Sequence, residues 1–114
     1  MDAELDPEDA KIITLARSAR ARGGSAAGAA VRDETGRTYA AVDVGLASFS
    51  LTALQLAVAM AVSSGAARLE AAAVVTDEKL VDDDLAAAWD LEAERLLLAG
   101  SDGSLTKVYP NPGR

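Results

Sequence analysis

The stretch SLTALQLAVAMAVSSG, residues 50–65, decides the fold, because it predicts a central helix that is apolar on almost every side. Between Ser50 and Ser63 the only polar side chains are those of Thr52 and Gln55. Gly65 is a suitable helix stop. A helix with so little polar surface belongs in the interior, between a sheet and a further layer, which in so small a protein can be a second subunit.

Capping and turn residues place the other elements around this helix. Asp6 and Pro7 open a first helix, and the Gly23-Gly24 pair ends it. The segments on either side of the turn DETG, residues 33–36, predict a hairpin. The remaining predicted elements are a buried strand at 69–77, a helix at 82–94 and two strands at 95–100 and 105–110.

The resulting order, α-β-β-α-β-α-β-β, predicts an α/β protein with a mixed sheet in which the strands linked by helices are parallel. A length of 114 residues is typical of one domain. We therefore assign residues 1–114 to a single domain and expect fraying at 1–6 and 110–114.

The composition excludes several kinds of chemistry. The chain has no cysteine and no histidine, so it cannot form a disulfide, a thiolate nucleophile, a Cys/His zinc site or an imidazole catalyst. A net charge of −7 disfavours a nucleic-acid partner. The acidic N-terminal sequence lacks the apolar core of a signal peptide, and the longest apolar run, Leu56–Val62, is too short to span a bilayer. We expect a cytoplasmic protein with no membrane partner.

Residues 25–77 resemble the cytidine deaminase family, the small zinc-dependent nucleoside deaminases. The segment AGAAVRDETGRTYAAVDV is similar to the family's VGAAL…dGr.y.G.NvE hairpin, with Gly28-Ala29-Ala30 and Gly36-Arg37 in register. The central helix is similar to tvCAERtAi.kAvseG through Ala61-Val62-Ser63 and Gly65. The resemblance implies a three-layer α/β/α sandwich with a mixed five-stranded sheet.

The residues that carry the family's chemistry are replaced in this sequence. In the family, a Cys or His and a Glu two residues later open the central helix, and P-C-x-x-C opens the next; the zinc activates water and the glutamate shuttles the proton. The metal-ligand position falls on Thr52 and the glutamate position on Leu54. The second motif falls near DDDLAAAW, residues 82–89, which has neither proline nor cysteine. We therefore predict no catalytic residue, no metal ligand and no cofactor.

Three residues remain candidates for binding a nucleoside-like ligand. The resemblance places Asp43 at a ribose-binding asparagine, although Asp43 would equally well end a strand. Thr52 would donate to a ligand hydroxyl or simply cap the central helix. Phe49 lies in the loop that lines the family's pocket, or else fills a gap in the packing. The acidic run Asp82–Asp84 suits the helix dipole better than it suits a bound cation.

We interpret the sequence as a non-catalytic relative that acts as a homo-oligomeric binding, scaffold or regulatory protein. The alternatives are a nucleoside or nucleotide hydrolase with a rebuilt zinc-free site, and a nucleoside-binding module. Small members of the resembled family associate through the central helix region, commonly as tetramers. Because the apolar residues of this helix lie on nearly all of its sides, they cannot all face one sheet. The sequence therefore predicts a homodimer or tetramer with helix 51–64 near the interface.

Overall fold

A mixed five-stranded sheet organises the computed structural model, which describes residues 5–113. The sheet order is β2-β1-β5-β6-β7, in which β5 and β6 are parallel and the other neighbouring pairs are antiparallel. The elements are α1 (Pro7–Gly23), β1 (Ala27–Asp33), β2 (Thr38–Val42), β3 (Val44–Gly45), β4 (Ser50–Leu51), α2 (Ala53–Ser63), β5 (Leu69–Thr76), α3 (Asp82–Asp90), β6 (Arg95–Ala99) and β7 (Leu105–Pro110). The predicted order of helices and main strands is confirmed, and the strands that α3 links are parallel as predicted.

Helices cover both faces of the sheet, which confirms the three-layer α/β/α sandwich. Alternate residues of β5 point to opposite faces. Ala73 and Val75 pack with Ile12 of α1 in one core. Val74 packs with Leu54 of α2 in the other core. The consecutive apolar residues of β5 are thus explained by burial on both faces.

The first helix follows its predicted boundaries. Asp6 caps it by accepting a hydrogen bond from the amide of Glu8, and Pro7 occupies the first turn. The helix ends at Gly23, and Gly24, whose φ of 63° is in the left-handed region, is its C-cap. Residues 1–4 and 114, where part of the predicted fraying falls, lie outside the described residues.

The central helix begins three residues later than Ser50, so its predicted start is wrong. Ser50 and Leu51 instead form β4, which pairs with Val44 and Gly45 of β3 in a separate two-stranded ribbon. Thr52 is the residue that caps α2. The helix also lies only partly in the interior. Ala53, Leu54, Ala57 and Ala61 are buried, whereas Met60 and Val62 are exposed.

The third helix is shorter than predicted, because it ends at Asp90 rather than Glu94. The amide of Ala93 donates to the carbonyl of Ala88 and the amide of Glu92 donates to that of Trp89. Glu92 adopts a φ of 58° to close this turn. A left-handed residue other than glycine is uncommon, so the sequence carries no obvious stop signal here.

An ion-pair network joins α1 to three strands of the sheet. Asp9 accepts hydrogen bonds from Arg32 Nη2 on β1 at 3.1 Å and from Arg95 Nε on β6 at 2.7 Å. Arg32 Nε also donates to Glu70 on β5 at 2.8 Å. The side chains of Asp9 and Arg32 are both buried, so each compensates the other's loss of hydration. No helix within residues 5–113 combines the length and the apolar character needed to cross a bilayer.

Candidate functional site

The start of α2 is built by two side chains that satisfy its free backbone amides. Thr52 Oγ1 accepts a hydrogen bond from the Gln55 amide at 3.0 Å, and Gln55 Oε1 accepts from the Thr52 amide at 2.9 Å. This reciprocal pair is a capping box. Asp43, which follows β2, accepts from the Ala53 amide through Oδ1 at 2.9 Å. The hairpin and the central helix are therefore locked together at this point.

The start of α3 contacts the start of α2 through Asp84. The Thr52 hydroxyl donates to Asp84 Oδ1 at 2.6 Å, which is a short, charge-assisted geometry. Asp84 is only 6% exposed although it lies in the first turn of a surface helix. Burial raises the pKa of Asp84, the Thr52 hydrogen bond opposes that shift, and the charges of Asp43 and Asp83 reinforce it.

A shallow groove of about 330 Å³ lies beside these contacts. It is lined by Asp43, Ser50, Leu51, Thr52, Gln55 and Asp83. Two of the three predicted ligand-binding residues, Asp43 and Thr52, are therefore brought together at its wall. Phe49 is not among the lining residues and lies half-exposed in the β3–β4 connection. Binding of a ligand by these three residues stays a prediction.

Zinc does not fit the side chains at this position. Zinc in proteins is held by thiolate, imidazole or carboxylate, and a catalytic site needs three such ligands. Here the available donors are one neutral hydroxyl, which already gives its proton to Asp84, and carboxylates of which Asp43 already binds a backbone amide. Within residues 5–113 no three His, Cys, Asp or Glu side chains form a group that would hold a metal ion.

Asp84 is the residue of this contact that the sequence did not single out. The run Asp82–Asp84 was interpreted as a set of helix-dipole acids, and Asp82 and Asp83 are indeed exposed. Only Asp84 turns inward to meet Thr52. No local signal in the sequence distinguishes it from Asp82 and Asp83, because the choice depends on how α3 packs against α2.

A second surface with functional potential is the exposed side of α2. A groove of about 360 Å³ is lined there by Tyr39, Leu56, Ala59, Met60, Ser63 and Ser64. Val62, on the same helix, is 52% exposed. No charged side chain occurs anywhere in α2. An uncharged, mainly apolar helix face of this kind is typical of a contact surface.

The family model that matches this chain is that of cytidine deaminase-like proteins, over residues 5–103. The chain belongs to the cytidine deaminase-like family. No curated protein sequence matches it closely enough to count as a relative. The family assignment therefore depends on the family model, and the fold is supported by solved structures.

Solved cytidine deaminases have the same fold at low sequence identity. The enzyme from Burkholderia pseudomallei matches with a TM-score of 0.76 at 19% identity, over 90% of this chain and 92% of that one. The Mycobacterium leprae enzyme matches with a TM-score of 0.69 at 20% identity, over 95% of this chain and 97% of that one. The Mycobacterium tuberculosis enzyme matches with a TM-score of 0.67 at 23% identity, over 82% of this chain and 85% of that one. Such likeness establishes the architecture, while function depends on the site.

Proposed function

We propose that this protein is a non-catalytic member of the cytidine deaminase-like family that acts by self-association and binding. The observation that carries the proposal is the structure of the α2 start. Thr52 and Asp43, which stand at the positions of a metal ligand and a ribose-binding residue in the resemblance, both serve as helix caps. Leu54, at the position of the proton-shuttling glutamate, is completely buried in the core.

Hydrolytic deamination needs an activated water and a group that moves its proton. In this chain a buried alkyl side chain occupies the position from which the proton would be moved, and the neighbouring hydroxyl is already hydrogen-bonded. We therefore expect no loss of cytidine absorbance under excess protein, with or without added zinc. Turnover that co-elutes with the protein on a sizing column would contradict this and favour the alternative, a hydrolase with a rebuilt zinc-free site.

The metal content of the purified protein gives an independent test. After purification without chelators, elemental analysis should find much less than one zinc per chain, because the donor set around Thr52 is unsuitable. One tightly held zinc per chain would contradict the non-catalytic assignment. Unlike an activity assay, this measurement does not depend on choosing the right substrate.

Self-association is the second part of the proposal, and the exposed side of α2 supports it. Burial of apolar surface contributes on the order of 25 cal/mol per Å², and a mainly apolar stripe is self-complementary across a two-fold axis. We expect light scattering to give a dimer or tetramer at micromolar concentration. Met60→Glu should shift the protein toward monomer. Val108→Glu on β7 is the matched control, since Met60 is 36% and Val108 40% exposed. A wild-type protein that stays monomeric at high concentration would contradict this part.

A nucleoside-binding module is the second candidate, and the groove beside Asp43 favours it. Asp43 uses Oδ1 for the Ala53 amide, and no hydrogen bond to its second oxygen occurs among the described residues. A thermal-shift titration with cytidine and uridine should be compared between the wild type and Asp43→Ala. Ligand-induced stabilisation that Asp43→Ala removes would favour this function, and no shift with either nucleoside would disfavour it.

A further inference from the structure

Two helix starts meet in this protein through one hydrogen bond between side chains. Thr52 is the N-cap of α2, and Asp84 is the third residue of α3. Their oxygens are 2.6 Å apart. The resemblance places zinc ligands at the starts of the same two helices, and the side chains present do not fit zinc. We propose that the Thr52–Asp84 hydrogen bond, the helix-start link, joins α2 to α3 in place of a metal.

The few hydrogen bonds at the start of α3 are a reason to expect that this link contributes to the stability of the protein. The N-cap of α3 is Val81, which has no side chain that can accept a hydrogen bond, so α3 begins without a side-chain cap. Asp84 lies within the first turn, where a negative charge interacts favourably with the helix dipole. Its position toward α2 is fixed by Thr52. Without that donor, a nearly fully buried carboxyl group would lose its hydrogen bond from the protein.

The Thr52 hydroxyl makes two hydrogen bonds of different kinds. One lone pair accepts from the Gln55 amide, and its one proton goes to Asp84. Thr52 therefore has two separable roles, capping α2 and holding α3. A double-mutant cycle separates them, because removing the Asp84 carboxyl leaves the capping role intact.

The charges that face Asp84 are all negative. They are Asp43 from the connection after β2 and Asp83 from α3 itself. Among the described residues no lysine or arginine forms an ion pair with Asp84. A carboxyl group whose pKa is raised in the folded state contributes stability that is fully present below its unfolded pKa. That stability is lost as the pH rises through the folded pKa.

The central experiment is a urea-unfolding cycle of wild type, Thr52→Val, Asp84→Ala and the double variant at pH 7. We expect Thr52→Val to reduce the folding equilibrium constant at least about tenfold, since hydrogen bonds to charged groups are strong. Thr52→Ser should restore most of that loss. The double variant should lose less than the sum of the two single variants. Additive losses would overturn the proposal, because they would mean that Thr52 only caps α2.

A pH series gives a second readout that a purely packing role would not change. Asp84→Asn keeps an oxygen that can accept from Thr52 but removes the titrating group. Its stability should no longer fall as the pH rises above the ordinary aspartate range. The stability of Thr52→Val should fall more steeply than that of the wild type, because the Thr52 hydrogen bond opposes the raised pKa of Asp84. Equal pH profiles for wild type and Thr52→Val would contradict the link. This result does not depend on activity or self-association, so it can fail independently of the proposed function.

The same link predicts the response to metal. Stoichiometric zinc added to the wild type should leave the urea midpoint unchanged, because the link is complete without it. A zinc-dependent rise in the midpoint that Asp84→Ala abolishes would show a metal at this position and would overturn the proposal.

Discussion

Asp33 shows at the scale of one residue how a buried charge organises a turn. Its carboxylate accepts hydrogen bonds from the amide and hydroxyl of Thr35, the amide of Arg37 and the hydroxyl of Tyr39. Burial alone would raise the pKa of Asp33, but these donors together outweigh it and lower the pKa. The turn between β1 and β2 is thus held by an acceptor that stays ionised.

Replacing this acceptor should weaken the hairpin. Asp33→Ala leaves the Tyr39 hydroxyl and two turn amides without their partner, and we expect a loss of about 1–3 kcal/mol in the free energy of unfolding. Urea denaturation measures it. Asp102→Ala is the matched control, because Asp102 makes a similar turn with Ser104 in an exposed loop and should cost less. Equal losses for the two variants would mean that the buried network has no special role.

The lowered pKa of Asp33 gives a pH prediction of opposite sign to that for Asp84. A carboxyl group with a depressed folded pKa contributes stability above its unfolded pKa, and this is lost as the pH falls through the folded value. Asp33→Asn should therefore flatten the acid side of the stability curve below the ordinary aspartate range. If acid sensitivity is unchanged in urea titrations across that range, Asp33 is not the group responsible.

At the scale of elements, the contact of α1 with β1 depends on the absence of a side chain at Gly28. A Cβ built there would fall on the carbonyl oxygen of Ala16 and lie 2.8 Å from Cβ of Arg20. Backbone cannot yield as a flexible side chain does, so the helix would have to move away from the sheet.

Gly28→Ala should therefore destabilise the protein by about 1–3 kcal/mol through overpacking. Gly45→Ala is the matched control, because a Cβ at Gly45 meets no atom within 4 Å. Thermal unfolding compares the two variants. If the Gly28→Ala protein were as stable as the Gly45→Ala protein, α1 would be able to shift away from β1 without a loss of folding stability.

Element identity could be predicted from local patterns, whereas some boundaries depended on distant pairing. Helix α1 has its cap, its proline and its final glycine in the sequence, so its limits were predicted correctly. The start of α2 was predicted too early, because Ser50 and Leu51 pair with β3 through a contact that no local pattern encodes. The end of α3 was missed because Glu92 adopts a conformation that usually requires glycine.

The candidate site was predictable only in part, for a related reason. The absence of Cys and His anywhere in the sequence predicts a loss of zinc chemistry, which stays a prediction. The resemblance also pointed to Asp43 and Thr52, which do meet at one groove. That Asp84, rather than Asp82 or Asp83, binds Thr52 depends on how α3 sits against α2. Three adjacent aspartates give no local signal that distinguishes them.

At the scale of the whole molecule, the ion-pair network around Asp9 ties one helix layer to the sheet. Asp9→Ala would leave Arg32 buried with Glu70 as its one remaining acidic partner among the described residues. Removing one member of a buried pair typically costs about 3–5 kcal/mol, because the remaining charge is left uncompensated. Chemical denaturation should give a loss in this range, while Glu8→Ala on the exposed side of the same turn should have little effect. A small loss for Asp9→Ala would mean that water replaces the carboxylate.

The net charge of the molecule makes a prediction about its proposed assembly. Each copy carries a charge of −7 at pH 7, while α2, the proposed contact helix, carries no charged side chain. Association must therefore work against long-range repulsion without ion pairs from α2 to offset it. Salt screens such repulsion beyond a Debye length of about 10 Å at 0.1 M, and it leaves apolar contacts in place.

Raising the salt concentration from low to physiological should strengthen self-association, measured by sedimentation or light scattering across a dilution series. Weaker association at higher salt would mean that complementary charges form the interface, and it would direct the search away from α2 toward the charged surfaces of the other elements.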